Sequence, residues 1–348
     1  MRDRVAIILV LGILGTLFFL ATVITTDINK ALESSNGNDH YGSNPQFVLL
    51  AFDGSASIPM WQETRDFAKE LTAQNKPIHF TYFISGIYFL TEESRNHYQP
   101  PVFPKGSSLI GYADSYNDID ARVQQINASL AEGHEIASHA VGHFNGIKWS
   151  LPQWEQELSG FEQILFNIEA NNRGIVLTKS LAIASSTEIV GFRAPELGTN
   201  DNLDQALAKR HYRYDASRVS LNGDWPTKNK YGLWEFSLAT IKLPPHNLTT
   251  ISMDYNIFRS QTRARDILKR DSFSWKTNRD YLLQAYENYF YQHYRGNRAP
   301  IFIGHHFSKW NDGVYWEAMK DFAREVCGLP DVHCTTHRAL ADYLDQKS

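Results

Sequence analysis

Apolar and polar positions along this chain alternate between two periods. Short, almost unbroken apolar runs (Phe47-Val-Leu-Leu-Ala-Phe52, Ile78-His-Phe-Thr-Tyr-Phe83, Ile189-Val-Gly-Phe192 and Pro300-Ile-Phe-Ile303) read as strands buried on both faces. Between them lie stripes at helical spacing. Trp61, Phe67, Ala68 and Leu71 mark a helix over 61–74, then Ile119, Val123, Ile126 and Leu130 another, and Trp154, Leu158, Phe161, Leu165 and Ile168 a third. Asp201 to Arg210 suits a further helix, followed by a strand over 212–215. Strands over 233–241 and 249–254 precede a long aromatic helix at 278–294, and helices at 315–326 and 338–344 close the chain. The stretch 91–117, with Pro100, Pro101 and Pro104, and the stretch 171–187 read as insertions. No internal repeat is present. Such βα alternation predicts an α/β domain built on a largely parallel sheet.

The amino-terminal segment departs from this rhythm. Residues 5–25 hold an uncharged apolar run, Val5 to Ile24, behind Arg2 and Arg4. About 20 apolar residues suffice to span a bilayer and exceed the core of a signal peptide. No A-x-A site follows, so an uncleaved signal anchor is expected. Residues 1–4 would then be the cytoplasmic tip, 26–45 a polar linker, and 46–345 an extracytoplasmic domain. The 2 cysteines agree. Cys327 and Cys334 bracket a turn between a helix and a strand, and closing so short a loop is feasible and favoured in an oxidising compartment.

Composition changes little. A formal net charge of −4 and the lack of a basic run give no reason to expect nucleic-acid binding, and 43% hydrophobic residues can build a large core. Aromatic residues reach 13%, which suits either core packing or a groove where rings stack on sugars.

Chemistry concentrates where apolar runs end. His139 and His143, after Gly133-His-Glu-Ile-Ala-Ser138, stand four apart, the spacing of two imidazoles on one side of a helical turn gripping one metal ion. Asp53 ends the first strand, where a poorly solvated carboxylate needs a cation, a metal or hydrogen-bond donors, unless it caps the helix that follows. Arg193, in Phe192-Arg-Ala-Pro195, can orient such a carboxylate. His305 and His306 end the late strand; strand alternation turns only one of them inward.

These segments, in this order, resemble the polysaccharide deacetylases of carbohydrate esterase family 4, closest to the chitin-deacetylase-like branch. Ala51-Phe-Asp-Gly54 stands at the family's TFDD motif, His139 and His143 at its H-[ST]-x-x-H motif, Arg193-Ala-Pro195 at R-x-P, and Ile303-Gly-His-His306 at its leucine–histidine strand. Further agreement lies in Gly133 to Ile136, Tyr214-Asp-Ala-Ser217 and Leu233-Trp-Glu-Phe236. The resemblance spans roughly residues 46–345. It implies a distorted (β/α)7 barrel, preceded here by one transmembrane helix. It also implies metal-dependent hydrolysis of N-acetyl groups on an extracytoplasmic polysaccharide. A divalent ion, zinc by default, would sit on Asp53, His139 and His143. A carboxylate steadied by Arg193 would take the water proton, and His306, or His305 if the register slips by one, would protonate the leaving amine. Asp215 or Asp224 would keep that histidine protonated.

One position breaks the pattern. The family has two adjacent aspartates, a base and then a metal ligand, whereas this chain has Asp53 followed by Gly54. Asp53 is either ligand or base, and Asp254 offers a replacement base. Two further readings remain open. One is a catalytically degenerate carbohydrate-binding homologue, and the other a metal-dependent amidase on small amides. A panel of acetylated glycans and small amides separates them.

Overall fold

The computed structural model describes residues 44–347. The cytoplasmic tip, the anchor at 5–25 and nearly all of the linker lie outside the described residues. Among the described residues no helix is long and apolar enough to cross a membrane.

The architecture is a curled, mixed ten-stranded sheet wrapped by helices. Its central strand is β1 (Gln46–Gly54). The strands β2 (Thr81–Ile84), β3 (Glu135–Ser138), β4 (Gly191–Phe192), β5 (Tyr214–Ser220) and β7 (Trp234–Leu243) follow it in order, all parallel. Strand β9 (Ile301–His306) lies parallel to β1, with Asp53 opposite His306, and β10 (Val332–Cys334) pairs with the start of β1. Two short strands, β6 (Thr227–Lys228) and β8 (Leu248–Ile251), are antiparallel to β7. Between β7 and β9 there is no ladder. Ser252 instead donates its N–H to Ala239 and accepts from Gly304, with a bridge between Met253 and Gly304. The expected (β/α)7 barrel is found as a curled half-barrel of mixed strands, eight of them parallel, with Ser252 and Met253 bridging the gap between β7 and β9.

Helices α1 (Ile58–Ala73), α2 (Tyr116–Ala131), α3 (Leu151–Leu165), α4 (Ile168–Asn171) and α5 (Asp201–Lys209) fall close to the predicted stripes. Helix α1 starts where Ser57 Oγ accepts from the Met60 N–H, with Pro59 in its first turn. Ser57, not Asp53, is therefore the cap. The later helices are α6 (Asp254–Thr262), α7 (Phe273–Tyr294), α8 (Trp310–Val326) and α9 (His337–Lys347). Helix α6 corrects the reading of 249–254 as one strand. Asn256, Ser260 and Thr262 are weak helix formers, so no helical signal was legible; Ile257 and Phe258, both buried, hold it in place. The expected disulfide is present: Cys327 after α8 and Cys334 in β10 are bonded, with Cα atoms 5.7 Å apart.

Strand alternation sorts two cores. Val48, Leu50 and Phe52 face the helices, whereas Phe47, Leu49 and Ala51 face inward onto Phe83, Tyr214, Phe236 and Phe302. Continuing the inward set along β1 brings the chain to Asp53; along β9 the set Phe302, Gly304 ends at His306.

Candidate active site

At the carboxyl ends of the parallel strands the curled sheet opens into a cavity of about 660 Å³. Asp53, His139, His143 and His306 line it, with Ile110, Glu196, Met253, Tyr255, Asn256, Arg259 and Trp310. This is the end of a parallel barrel where active sites collect.

Asp53 is 3% exposed and Arg193 1% exposed. Arg193 donates from Nη1 to Asp53 Oδ1 at 2.8 Å and from Nε to the Ala216 carbonyl at 3.0 Å, and its guanidinium lies 4.2 Å from the Phe83 ring centroid. Gly304 makes room for this, since a Cβ there would come within 2.7 Å of Met253 Cε and 3.5 Å of Arg193 Nη1. Burial alone would raise the Asp53 pKa, but the Arg193 charge, with His139 and His306 nearby, outweighs it and the carboxyl is held below its ordinary value. Asp53 is an ionised acceptor. Its other oxygen has no hydrogen-bond partner among the described residues.

Beside Asp53, at the same level of the paired strand β9, stands His306. Its Nδ1 lies 2.6 Å from Asp254 Oδ1, and its backbone N–H donates to Asp254 Oδ2 at 2.9 Å. Burial would lower the imidazole pKa, but the adjoining Asp254 carboxylate reverses the sign and raises it. With Nδ1–H held by Asp254, the Nε2 edge is left for the cavity. Asp254 thus occupies the role expected of Asp215 or Asp224. Asp215 instead binds Ser217, with burial pushing its pKa up to about 7, and Asp224 is exposed. Nor is Asp254 a replacement base, because both its oxygens serve His306. His305 lies on the helical side, with its Nδ1 3.6 Å from Asp254 Oδ2. It packs against Phe52 and meets the Tyr286 hydroxyl at 3.3 Å, outside the cavity lining.

The His139 ring is fixed from behind. Its Nδ1–H donates to the Arg193 carbonyl at 2.8 Å, so Nε2 carries a lone pair; that atom is buried without a hydrogen-bond partner. Burial drives its pKa down to about 3, so the ring is neutral. His143 is also shifted down, chiefly by burial and then by His306. The two rings are 5.2 Å apart, but not by helical spacing as the sequence suggested. An irregular loop, with Ala140 at φ 55° and His143 at φ 62°, carries the second ring. Glu157 on α3 anchors that loop, accepting from the Val141 N–H at 2.9 Å and the Tyr98 hydroxyl at 2.7 Å. Sequence reasoning passed over Glu157, although a carboxylate inside the α3 stripe between Trp154 and Leu158 was the available signal.

A metal ion tests the set further. The unpartnered Nε2 of His139 is what a ligand nitrogen requires, and the carbonyl behind it is the usual orienting contact. Yet among the described residues no group of three His, Cys, Asp or Glu side chains is arranged to hold an ion. Asp53, His139 and His143 line the same cavity without forming such a group. At Gly54, φ is +101° and a Cβ would meet no atom within 4 Å. The residues present therefore do not fit the three-ligand site of catalytic zinc.

Comparison with solved structures defines the class. A protein from Mycobacterium smegmatis assigned as a polysaccharide deacetylase matches with a TM-score of 0.51 and 15% identity, over 88% of this chain and 93% of that one. A family 4 carbohydrate esterase from Streptomyces lividans, in complex with acetate, matches with a TM-score of 0.41 and 14% identity, over 83% and 91%. A pseudoenzyme of the same family from Bacillus anthracis gives 0.42 and 10%, over 86% and 67%. Scores this low for the latter two carry no argument. No family model and no curated protein matches the chain. The domain has the polysaccharide deacetylase fold.

Proposed function

We propose that this chain is a hydrolase that removes N-acetyl groups from an extracytoplasmic polysaccharide. The observation that carries the reading is one cavity walled by an ionised carboxylate and a histidine of raised pKa, each held by its own buried partner: Asp53 by Arg193, and His306 by Asp254. Opposed groups whose environments push their pKa values apart are the mark of an acid and a base. Asp53 takes a proton from water as it attacks the acetyl carbonyl. His306 hands its Nε2 proton to the leaving amine. Arg193 keeps Asp53 ionised and aimed. Tyr255 and Trp310, whose ring centroids lie 5.3 Å apart beside His306, supply the face on which a sugar stacks.

The fold belongs to proteins expected to use a divalent ion, zinc by default. Here His139 and His143 offer two nitrogens and Asp53 binds Arg193 through one oxygen, and no step above depends on an ion. Anchoring through residues 5–25 and an extracytoplasmic domain complete the proposal, supported by the apolar run behind Arg2 and Arg4 and by the disulfide. Acetate release from a panel of N-acetylated glycans and small amides, assayed with the full chain in neutral detergent, tests the reading. Release from polymers alone supports it, and release from small amides alone replaces it with an amidase. Binding of glycans without release of acetate would favour the second reading, a degenerate carbohydrate-binding homologue, for which the vacant space at Gly54 speaks.

A further inference from the structure

One arginine, Arg259, lines one wall of the cavity. Tyr255, Asn256 and Arg259 on α6 all line it, and Arg263 follows one turn later at the end of the same helix. The chain then runs through Arg265, Lys269 and Arg270, all exposed. Arg270 is spoken for, pairing with Glu317 at 3.0 Å. Arg265 donates to the Thr262 carbonyl, and Asp266, the acid nearest in sequence, accepts from the Asn311 N–H. Among the described residues Arg259, Arg263, Arg265 and Lys269 meet no carboxylate within ion-pair distance. Their spacing of two to four residues explains why no basic run showed in the sequence, and all four are exposed along α6 and the loop after it. Glu196, held by Asn145 at 3.0 Å, lies in the lining of the same cavity but on the segment after β4, so the lining is charged in opposite senses on two elements.

Starting at Asp254, which holds His306, α6 presents Tyr255 and then Arg259 to the cavity, and the exposed Arg263 caps the end of the helix. Arg259 stands roughly 7 Å along the axis from Asp254, at 1.5 Å per residue, and Arg263, at φ 56°, lies just past the last helical residue. A chain bound with its acetamido group at Asp53 and His306, and a ring on Tyr255 and Trp310, lays its next group against the unpaired guanidinium of Arg259, with Arg263 beyond it at the end of the helix. Guanidiniums bind carboxylate, sulfate and phosphate oxygens in bidentate fashion. We propose that this wall is an anion subsite, and that the polymer this chain acts on is an acidic N-acetylated glycan. The proposal rests on the deacetylase reading for the placement of the acetamido group. An anionic lipid surface is a poorer fit, because Arg259 lines a cavity that a membrane cannot enter.

The test uses the full chain in neutral detergent. Calorimetric titration compares a neutral chitin hexasaccharide with hyaluronan oligosaccharides, which carry carboxylates alone, and chondroitin sulfate oligosaccharides of the same length, which carry carboxylates and sulfates. The acidic oligomers should bind more tightly. That preference should fall roughly fivefold for each of Arg259→Gln and Arg263→Gln, and further as salt is raised. Equal affinity for neutral and acidic oligomers, absence of binding to either acidic oligomer, or a preference unmoved by both substitutions would overturn the subsite. So would Arg259-dependent capture by vesicles of anionic lipid without binding of acidic oligomers. Acetate is measured in the same samples. A charge preference without acetate release sinks the hydrolase reading and leaves the subsite standing; acetate release without charge preference does the reverse.

Discussion

Two carboxylates are buried inside this curled sheet, at opposite ends of its strands, and they have opposite characters. Asp53, at the carboxyl end of β1, faces a cavity, accepts from one guanidinium and has its pKa held down. Glu135 begins β3 and is saturated. Oε1 accepts from the Tyr214 hydroxyl at 2.8 Å, and Oε2 accepts from the Thr81 hydroxyl at 3.0 Å and the Arg338 N–H at 2.8 Å. Burial outweighs these contacts and pushes its pKa up. Each region also holds a buried histidine with an unpartnered Nε2, His139 above and His337 below, but only His139 lines the cavity. Burial of an ionisable group is thus no sign of function by itself. What separates the two regions is whether the polar group has bonding capacity left over and an opening to spend it in.

The largest effect should come from the acid side. His306→Ala should lower acetate release by about 10² to 10⁴-fold, whereas His305→Ala, one residue away on the helical face, should lower the unfolding temperature and leave the pH profile in place. Equal catalytic losses from both would erase the distinction between the two faces of β9. At the other end, Glu135→Ala leaves three donors unmet, at about 1–3 kcal/mol each before water relieves them. Its expected mark is a fall of several degrees in thermal unfolding with kcat per folded molecule retained, read by calorimetry beside an activity assay. A loss of kcat at full stability would make the lower carboxylate functional and undo the comparison.

A third carboxylate sharpens it. Glu157 holds the loop that carries His143, and burial, opposed by its bonds to Tyr98, Val141 and Gly142, pushes its pKa up to about 7. A raised carboxyl pKa favours the neutral form in the fold. Its contribution to stability is therefore full below the ordinary glutamate pKa of about 4.3 and is lost as the pH rises toward about 7. Glu157→Gln should flatten that part of the stability curve in denaturant titrations, and an unchanged slope would reject the assignment. The smallest expected effect belongs to Asp254→Asn. Without the charge that raises the His306 pKa, the alkaline limb of kcat/KM should move to lower pH; a limb that stays put would mean that another group sets it.

Much of this was legible before the fold was known. The apolar runs gave the strands, and the residues ending them (Asp53, His139, Arg193, His306) are those that the structure brings to the cavity or directly beneath it. What remained hidden depended on the third dimension. Asp254 reads as the end of a strand until α6 is seen to begin there, and only the seam between β7 and β9 places it under His306. Asp215 looked as good a partner because sequence carries no record of which strands meet. The spacing of His139 and His143 suggested a helical turn, but left-handed residues in a loop bring the rings together. The sequence favoured Asp53 as a metal ligand while leaving the base role open, and the Arg193 contact is what supports the base role proposed here.

That contact is the centre of the account, and Asp53→Asn tests it most directly when zinc affinity and acetate release are followed on the same preparation. If Asp53 is the base held by Arg193, zinc affinity, carried by His139 and His143, should match that of the unaltered chain while acetate release falls by about 10² to 10⁴-fold. Loss of zinc binding together with activity would contradict it and make Asp53 a ligand.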